Sequence, residues 1–467
     1  MKIVCQSVEF EKDMQDLVNL FYEDDCPFSI QHSSSRNANQ LQSFLKVEID
    51  GQEKQYFKAY TLPTQMTVLQ EKSLLKRHYK NHLYEVLSTI SGKKLPWGSL
   101  TGVRPTKFAR DLIDRGEVKS HLISEILSKD YHVSQDKAKL AVQILKNQRC
   151  IIKNDKLIDL FINIPICPTR CNYCSFISNE LWTVKDKVDT YLDCVIKELE
   201  AVKKLIAEKY YIVRTIYIGG GTPSVLTEKQ LERLLAAIGY WVTEFTVECG
   251  RADTITREKL EILKKYGVTR ISINPQTFCE STLKKIGRKT TNQQVLDAYM
   301  LAMEYDFVVN MDIIAGLGEE RLRTFKSTIK TLLELYPHNI TVHTLSIKNA
   351  AQIRGQEIKN AIDVPKMVDF AQQTLLANGY KPYYLYRQKH QLGGLENVGY
   401  FRDDKVCIFN VDSMEDVSSV IAVGAGAISK RVFNLENRIE REPNCKFIND
   451  YIDRIDEMIE KKIKFFS

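Results

Sequence analysis

The 467-residue sequence has no apolar run long enough to cross a bilayer, and it has little net charge. Apolar runs such as 420–423 are far shorter than the about 20 residues that a membrane helix needs, and the first residues lack a signal-peptide pattern. The formal charge is only +7, from 66 basic and 59 acidic residues, which does not indicate a nucleic-acid-binding protein. Eleven cysteines, an odd number, indicate a reducing compartment rather than a disulfide framework. We therefore expect a cytoplasmic protein with no membrane span and no nucleic-acid partner.

The sequence also lacks a fourth metal ligand beside its one close cysteine cluster. Cys167, Cys171 and Cys174 stand at C-x3-C-x2-C, directly after 160–164, an apolar run that predicts a buried strand. The next cysteine, Cys194, falls inside a predicted helix. Because structural zinc sites and fully protein-ligated clusters take four protein ligands, three close thiols favour a [4Fe–4S] cluster with one open iron. A zinc loop with a distant fourth ligand, or three cysteines together by chance, are the alternatives.

From about residue 157, short apolar runs alternate with amphipathic helices. The predicted strands are 159–164, 213–218, 244–248, 269–274, 308–313 and 339–345, with helices such as 185–208, 228–242 and 325–336 between them. Parallel strands need crossover connections of this kind. The alternation therefore predicts an α/β fold with a parallel sheet.

Glycine and polar residues follow the ends of these strands. After the second strand comes the stretch 219–223 (GGGTP), and glycines let the backbone approach a ligand closely. Glu248, Gln276 and Asp312 follow the third, fourth and fifth strands, and Arg288 comes soon after the fourth. Each of these side chains could bind a ligand, and each could instead cap a helix or make a surface hydrogen bond.

The cysteine spacing and the glycine stretch together resemble the radical S-adenosylmethionine (SAM) superfamily, and residues 157–430 resemble its coproporphyrinogen dehydrogenase family. The segments 101–107, 274–276 and 395–400 resemble the HemZ-type branch of that family. The resemblance implies a partial (β/α)6 barrel with its active site at the C-terminal ends of the strands. We expect an N-terminal α+β domain over 1–150, the barrel over 151–350 and a capping region over 351–467.

The resemblance also implies two cofactors and the residues that hold them. Cys167, Cys171 and Cys174 would ligate a [4Fe–4S] cluster whose open iron binds SAM. One electron from the cluster would cleave SAM to methionine and a 5′-deoxyadenosyl radical. The implied SAM contacts are Phe161, Tyr173, Gly220, Gly221, Thr222, Glu248, Gln276, Arg288 and Asp312.

The implied activity is oxygen-independent decarboxylation of coproporphyrinogen III to protoporphyrinogen IX, with flavodoxin or ferredoxin as electron donor. Phe176 stands where the best-established members have a further cysteine, and Phe161 stands where they usually have a tyrosine. The heme-chaperone branch also lacks that cysteine. A heme-binding chaperone, or a radical SAM methyltransferase or heme-degrading enzyme, therefore remain alternatives for this tetrapyrrole-binding protein.

Outside the barrel, the sequence predicts several local features. Alternation on either side of residues 50–51 predicts a β-hairpin, 33–39 predicts a loop, and His78 and His82 are expected on a solvated basic helix face. His343, which lies in the predicted barrel strand 339–345, and His390 are single histidines that are expected to be structural rather than heme ligands.

Two segments have two interpretations each. The loop 95–107 either offers Arg104 and Lys107 to a carboxylate or phosphate at a helix start, or docks as a structural element. The tyrosines of 380–386 with Arg387 either stack on a tetrapyrrole and pair with its propionates, or form a strand packed on both faces.

Overall fold

The computed structural model describes most of the chain, which forms two units. The described residues are 2–22, 28–49, 51–101, 104–116, 118–176, 178–239, 242–347, 361–388, 391–436 and 438–467. One unit comprises residues 1–142 and 387–396, and the other comprises residues 143–386 and 397–467. The division into three domains stays a prediction, and His390 lies outside the described residues.

The first unit is a four-stranded sheet packed against helices. Its strands are β1 (Lys2–Cys5), β2 (Phe28–Asn37), β3 (Gln40–Ile49) and β4 (Gln52–Thr61). Its helices are α1 (Val8–Val18), α2 (Val68–Ser91), α3 (Pro105–Asp114), α4 (Ile123–Asp130) and α5 (Gln135–Asn147), the last of which continues into the second unit. β1 is parallel to β2, and the other neighbours in the order β1-β2-β3-β4 are antiparallel. Alternate side chains of β3 are buried, as in a sheet with one covered face.

The structure confirms the predicted hairpin, whereas the predicted serine-rich loop is wrong. Ile49 pairs with Gln52 across the turn between β3 and β4, where Gly51 takes φ +76°. Residues 33–37 lie in β2, and Ser33 pairs there with Phe44. A run of serines has little local preference for a strand, so its pairing with β3 decides its conformation.

α2 turns its histidines towards the sheet rather than to solvent, so the predicted solvated face is wrong. His82 is only 3% exposed, and His78 packs against Tyr60 with ring centroids 4.0 Å apart. His82 Nδ1 lies 2.9 Å from Ser43 Oγ, which lies 3.1 Å from His32 Nε2. Burial lowers the pKa of both His32 and His82 to about 4, so these rings are neutral at pH 7. A helix on a sheet buries one face, and neighbouring lysines in the sequence do not identify that face.

The start of the loop 95–107 is anchored inside the first unit. The buried Trp97 indole donates to Glu396 Oε2 at 2.7 Å, and Lys137 pairs with Glu396 Oε1 at 2.7 Å. Arg387 donates to the Leu100 carbonyl at 2.5 Å. These contacts support the structural interpretation for the start of the loop. The anion-binding interpretation for its end stays a prediction, and residues 102–103 lie outside the described part.

The second unit contains the predicted barrel strands. Its strands are β5 (Leu157–Ile164), β6 (Ile166–Cys167), β7 (Asn179–Glu180), β8 (Ile212–Gly220), β9 (Glu244–Val247), β10 (Arg270–Ser272), β11 (Val308–Ala315), β12 (Asn339–Thr344), β13 (Lys381–Tyr386), β14 (Asn397–Phe401), β15 (Ser419–Val423), β16 (Ile428–Phe433) and β17 (Arg438–Pro443). Its helices are α6 (Leu181–Val184), α7 (Val188–Glu208), α8 (Glu228–Ile238), α9 (Arg257–Lys265), α10 (Glu280–Lys285), α11 (Asn292–Glu304), α12 (Leu322–Leu335), α13 (Val364–Ala377), α14 (Ile408–Glu415), α15 (Ile448–Asp453) and α16 (Ile455–Phe466). None of the helices in the described ranges is long and apolar enough to span a membrane.

One large sheet confirms the predicted α/β fold. Its order is β13-β14-β12-β11-β10-β9-β8-β5-β15-β16-β17. The six predicted strands form its parallel centre, and they are β5, β8, β9, β10, β11 and β12. β15 adds a seventh parallel strand beside β5 and was not predicted. β15 has five buried residues, four of them apolar, and so short a run has no periodicity that would distinguish a strand from another buried segment.

α14 lies between β14 and β15 in the sequence and fills part of the space beside β5 and β8. Its Phe409 ring stacks on Tyr217 of β8 with centroids 4.3 Å apart, and on Phe161 of β5 at 6.0 Å. Phe409, Tyr217 and Phe161 therefore form an aromatic cluster that belongs to the hydrophobic core beside these strands.

The C-terminal helices pack on α7 through a buried polar network. The Glu198 carboxylate of α7 pairs with Lys462 of α16 at 2.9 Å and accepts from the Gly424 N–H at 2.9 Å. Tyr191, also on α7, donates to the Asn163 carbonyl at 2.6 Å. The network therefore ties the turn after β15 to the end of β5, the strand that leads into the cysteine loop.

Candidate active site at the strand ends

The three predicted cluster ligands lie on one loop at the C-terminal end of β5. Cys167 is in β6, which pairs with β7, and the Cys174 N–H donates to the Cys171 carbonyl at 3.0 Å. The Asn172 N–H donates to the Ile286 carbonyl at 3.1 Å and so fixes the loop to the end of α10. Burial raises the pKa of Cys167, and it raises the pKa of Cys174 to about 11, in each case with a contribution from the neighbouring thiols.

The donor set of this loop fits an iron–sulfur cluster better than a single metal ion. A structural zinc ion takes four protein ligands, whereas each thiolate of a [4Fe–4S] cluster binds its own iron. Three soft thiol ligands on one loop therefore suit the cluster.

The glycine stretch lies directly against the strand that carries the cysteines. The Gly221 N–H donates to the Ile164 carbonyl at 2.9 Å, and the Thr222 N–H donates to the Ile166 carbonyl at 2.8 Å. The Thr222 hydroxyl lies 3.6 Å from Cys167 Sγ. A Cβ atom on Gly221 would lie 2.5 Å from the Ile166 carbonyl oxygen, so this close approach requires glycine.

Glu248 follows β9 and contacts both the glycine stretch and β8. Its Oε2 accepts from the Gly220 N–H at 3.2 Å, and its Oε1 accepts from the Tyr217 hydroxyl at 2.5 Å. Burial, reinforced by the charge of Asp312, raises the pKa of Glu248 to about 7, although these two hydrogen bonds oppose the shift. The carboxyl group is therefore only partly ionised at neutral pH.

Asp312 of β11 is held as a carboxylate. Burial acts to raise its pKa, but the hydrogen bond and charge of His343 and the hydrogen bonds of Asn310 and Thr341 outweigh burial and leave the pKa below its ordinary value. Asn310 Nδ2 donates to Asp312 Oδ1 at 2.8 Å, and His343 Nε2 lies 3.6 Å from Asp312 Oδ2. The Tyr386 hydroxyl lies 3.3 Å from His343 Nδ1.

Gln276 has a left-handed backbone, and its side-chain oxygen has no partner within the described part of the chain. Its φ is +66°, and its main chain is fixed to β11 because its N–H donates to the Asp312 carbonyl at 2.9 Å and its carbonyl accepts from Ile314 at 3.0 Å. Its Oε1 is buried and makes no hydrogen bond with the residues that the structure describes. Left-handed backbone in a non-glycine residue costs about 1–3 kcal/mol, and such strained residues are enriched at active sites and ligand sites. An orphaned buried acceptor beside it fits a bound ligand that donates a hydrogen bond.

The remaining predicted residues occupy two different places. Arg288 is buried and donates to the Gly250 carbonyl at 2.5 Å and to the Asn274 carbonyl, which joins the loops after β9 and β10. Burial raises the pKa of the Tyr173 hydroxyl and the charge of Arg288 opposes this, so the two groups are close. Phe161 belongs to the aromatic cluster with Phe409 rather than to this group.

The comparisons with known proteins agree with this geometry. Residues 162–332 match the model of the radical SAM superfamily. The chain is 32% identical to the oxygen-independent coproporphyrinogen-III oxidase-like protein HemZ of Bacillus subtilis over 98% of its own length and 95% of that relative. The chain belongs to the radical SAM superfamily. Its place within the superfamily is the group that contains HemZ, the heme chaperone HemW and the oxidase HemN.

Two further relatives match only part of this chain. The heme chaperone HemW of Lactococcus lactis is 31% identical, over 52% of this chain and 66% of the chaperone. The structure of the Escherichia coli radical SAM enzyme HemN, a coproporphyrinogen III oxidase, matches with a TM-score of 0.50 and 20% identity over 68% of this chain and 73% of HemN, which supports the shared fold. The cofactors of the radical SAM superfamily are a [4Fe–4S] cluster and SAM, and the donor set at these strand ends fits both.

Sequence reasoning missed two polar residues that lie at the candidate site. Arg251 forms a double hydrogen bond with Asp253 at 2.9 and 3.0 Å and donates to Thr169 of the cysteine loop at 3.0 Å. An arginine two residues before an aspartate after a strand was the available signal. His343, expected to be structural, lies beside Asp312. The available signal was its position two residues after Thr341 on β12, because residues i and i+2 of a strand point to the same face.

The strand interpretation holds for residues 380–386. Tyr380 and Tyr383 are each 1% exposed, and the Tyr380 hydroxyl donates to the Pro337 carbonyl at 2.6 Å. Tyr383 packs edge-on against Tyr384, with ring centroids 4.8 Å apart. Tyr386 is the half-buried member of this strand, so a stack of several tyrosines on a tetrapyrrole is not formed.

Proposed function

We propose that this radical SAM protein catalyses the oxygen-independent oxidative decarboxylation of coproporphyrinogen III to protoporphyrinogen IX. The observation that carries the proposal is the similarity to the oxidase-like protein HemZ over 98% of this chain, which includes the first unit as well as the barrel. Each of two propionate side chains would give one hydrogen atom to the SAM-derived radical and one electron to an external one-electron acceptor, lose CO2 and become a vinyl group.

In this proposal the cysteine loop holds the cluster, and the neighbouring strand ends hold SAM. The proposed ligands are Cys167, Cys171 and Cys174 for the cluster, and Tyr173, Gly220, Gly221, Thr222, Glu248, Gln276, Arg288 and Asp312 for SAM. When bound, the cluster and SAM supply a radical that abstracts a hydrogen atom from the substrate. Phe161 acts indirectly, because the aromatic cluster beneath the site excludes water.

The charges found at the site support different roles for its two carboxyl groups. Asp312 is an ionised acceptor, suited to hydroxyl groups or to an ammonium group. Glu248, with a pKa of about 7, can either accept or donate a hydrogen bond. Gln276 Oε1 has no donor among the described residues, so it can accept a hydrogen bond from a ligand.

For the substrate, His343 and Tyr386 are the proposed contacts. Both are half-buried and lie at the same end of β12 and β13, which run parallel to each other on either side of β14. His343 lies beside Asp312, and Tyr386 is linked to Asp312 through His343. Imidazole and phenol groups can donate hydrogen bonds to a propionate carboxylate. This contact set replaces the stack of several tyrosines that the sequence suggested.

A second candidate function is that of a heme-binding chaperone. Phe176 stands at the position of the further cysteine of the best-established dehydrogenases, and the chain is 31% identical to a heme chaperone over half its length. In this case the site would bind heme and form no porphyrin product.

An anaerobic assay separates the two functions. The protein is reconstituted with iron and sulfide and given SAM, a reductant and coproporphyrinogen III, and 5′-deoxyadenosine and protoporphyrin are measured by chromatography. The proposal expects both products from the wild type and neither from Cys171→Ala. Tight binding of heme together with a complete cluster but no protoporphyrin would overturn it in favour of the chaperone.

A further inference from the structure

The outer side of the cysteine loop carries two exposed aromatic side chains and exposed lysines. We propose that this donor face, defined by Phe176, Trp182, Lys284 and Lys289, binds an acidic one-electron carrier protein that reduces the cluster. The inference rests on the one-electron radical chemistry of the proposed function and assigns the surface that serves it.

The aromatic part of the donor face is exposed, and its indole ring is held in place. Phe176 is 66% exposed and Trp182 is 73% exposed. The Trp182 indole donates to Glu180 Oε2 at 3.0 Å, and Glu180 Oε1 accepts from the Arg170 N–H at 2.9 Å. The indole is therefore held to the cysteine loop. Rigid exposed aromatics are the side chains that anchor protein–protein interfaces.

The basic part lies on the segment to which the cysteine loop is fixed. Asn172 donates to the Ile286 and Lys285 carbonyls at 3.1 and 3.0 Å, next to the exposed Lys284 and Lys289. The segments 165–187 and 280–289 together carry seven basic and three acidic residues. Lys285 already pairs with Glu319 at 2.5 Å, so it is left out of the donor face. A positive field around exposed aromatics favours an acidic partner and speeds its association.

The position of the donor face favours an electron carrier over other acidic partners. Phe176 is two residues beyond Cys174, and Trp182 is two residues beyond Glu180, which pairs with Cys167 in the β6–β7 sheet. A carrier bound here brings its redox group close to the three thiols, and transfer rates fall steeply with distance. The carrier loses one electron, which reduces the cluster from the 2+ to the 1+ state.

The test measures reduction of the cluster rather than product formation. Reconstituted protein is mixed anaerobically with flavodoxin hydroquinone, and the cluster absorbance is followed by stopped flow at several salt concentrations. One variant carries Phe176→Ala with Trp182→Ala, and a second carries Lys284→Glu with Lys289→Glu. Matched controls are Leu435→Ala, 99% exposed beyond the opposite end of β15, and Lys204→Glu, exposed near the end of α7. Dithionite, which needs no docking, serves as a second reductant for every variant.

We expect each donor-face variant to lower the second-order rate with flavodoxin by about tenfold, and the lysine variant to lose most of its salt dependence. The rates with dithionite and the rates of both controls should not change. Unchanged rates with flavodoxin would overturn the inference. An equal loss of rate with dithionite would also overturn it, because it would mean that the variants damage the cluster site. A dimer that the variants abolish would overturn it too, because it would assign the face to a second copy of the chain. Because the assay contains no porphyrin, failure of the proposed decarboxylation would leave its outcome unaffected.

Discussion

Gly220→Ala should destabilise the protein through two separable effects. Gly220 takes φ +97°, and a side chain in the left-handed region costs about 1–2 kcal/mol. An alanine Cβ would also lie 1.6 Å from Asn163 Oδ1, so the Asn163 side chain would have to move. Because its Nδ2 donates to the Ala425 carbonyl at 2.5 Å, that movement loses a buried hydrogen bond as well. Overpacking costs about 1–3 kcal/mol and the lost bond about 1 kcal/mol, which gives a total of about 3–6 kcal/mol.

Gly379→Ala is the matched control, because it carries only the first effect. Gly379 takes φ +83°, and none of the described residues outside its own chain neighbours has an atom within 4 Å of the position of its Cβ. Its free energy of unfolding should fall by only about 1–2 kcal/mol. The difference between the two variants then isolates the steric clash beside the cysteine strand.

Two assays test this reasoning. Urea denaturation of the metal-free proteins gives the change in the free energy of unfolding, and calorimetry on reconstituted protein gives the dissociation constant for SAM. We expect SAM to bind Gly220→Ala at least about tenfold more weakly, a loss of about 1.4 kcal/mol, and to bind Gly379→Ala normally. Equal losses of stability in the two variants would refute the steric argument. A destabilised Gly220→Ala that still binds SAM like the wild type would refute the placement of SAM at the glycine stretch.

Three further outcomes follow from the structure. Cys171→Ala should lose the visible absorbance of the reconstituted cluster, and a variant with a complete cluster would rule out the ligand assignment. Gln276→Ala should weaken SAM binding by about tenfold without lowering stability, because it removes an unsatisfied acceptor, whereas the exposed Gln293→Ala should change neither quantity. The pKa values of His32 and His82 are lowered from 6.5 to about 4, so the first unit should be fully stable above pH 6.5 and lose stability as the pH falls to about 4. Circular dichroism across this range checks the loss, which His82→Gln should reduce, and an equally steep loss in that variant would contradict the explanation.

Local patterns predicted the parts of the molecule that depend on local chemistry. The C-x3-C-x2-C spacing, the GGGTP stretch and the six parallel strands could be predicted because each depends on residues that are close together in the sequence. Features decided by distant partners were not visible. β15 is defined by its pairing with β5, the burial of His82 depends on Ser43, and the place of Phe409 depends on two strands far away in the sequence. The roles of the cofactor-binding residues stay predictions that the proposed assays test.

The hydrogen bonds that hold the end of β5 to the C-terminal part of the chain have a consequence for how the protein is synthesised. Asn163 is separated from Ala425 by 262 residues, and the turn that carries Ala425 is itself held through Glu198 by Lys462 of α16. At roughly 5–20 residues per second, a ribosome needs roughly 10–50 seconds to pass from one partner to the other. During that interval the emerging chain displays its three thiols on a loop whose supporting strand is not yet fixed. Iron–sulfur assembly therefore belongs after synthesis of the C-terminal helices, when the loop has its final shape.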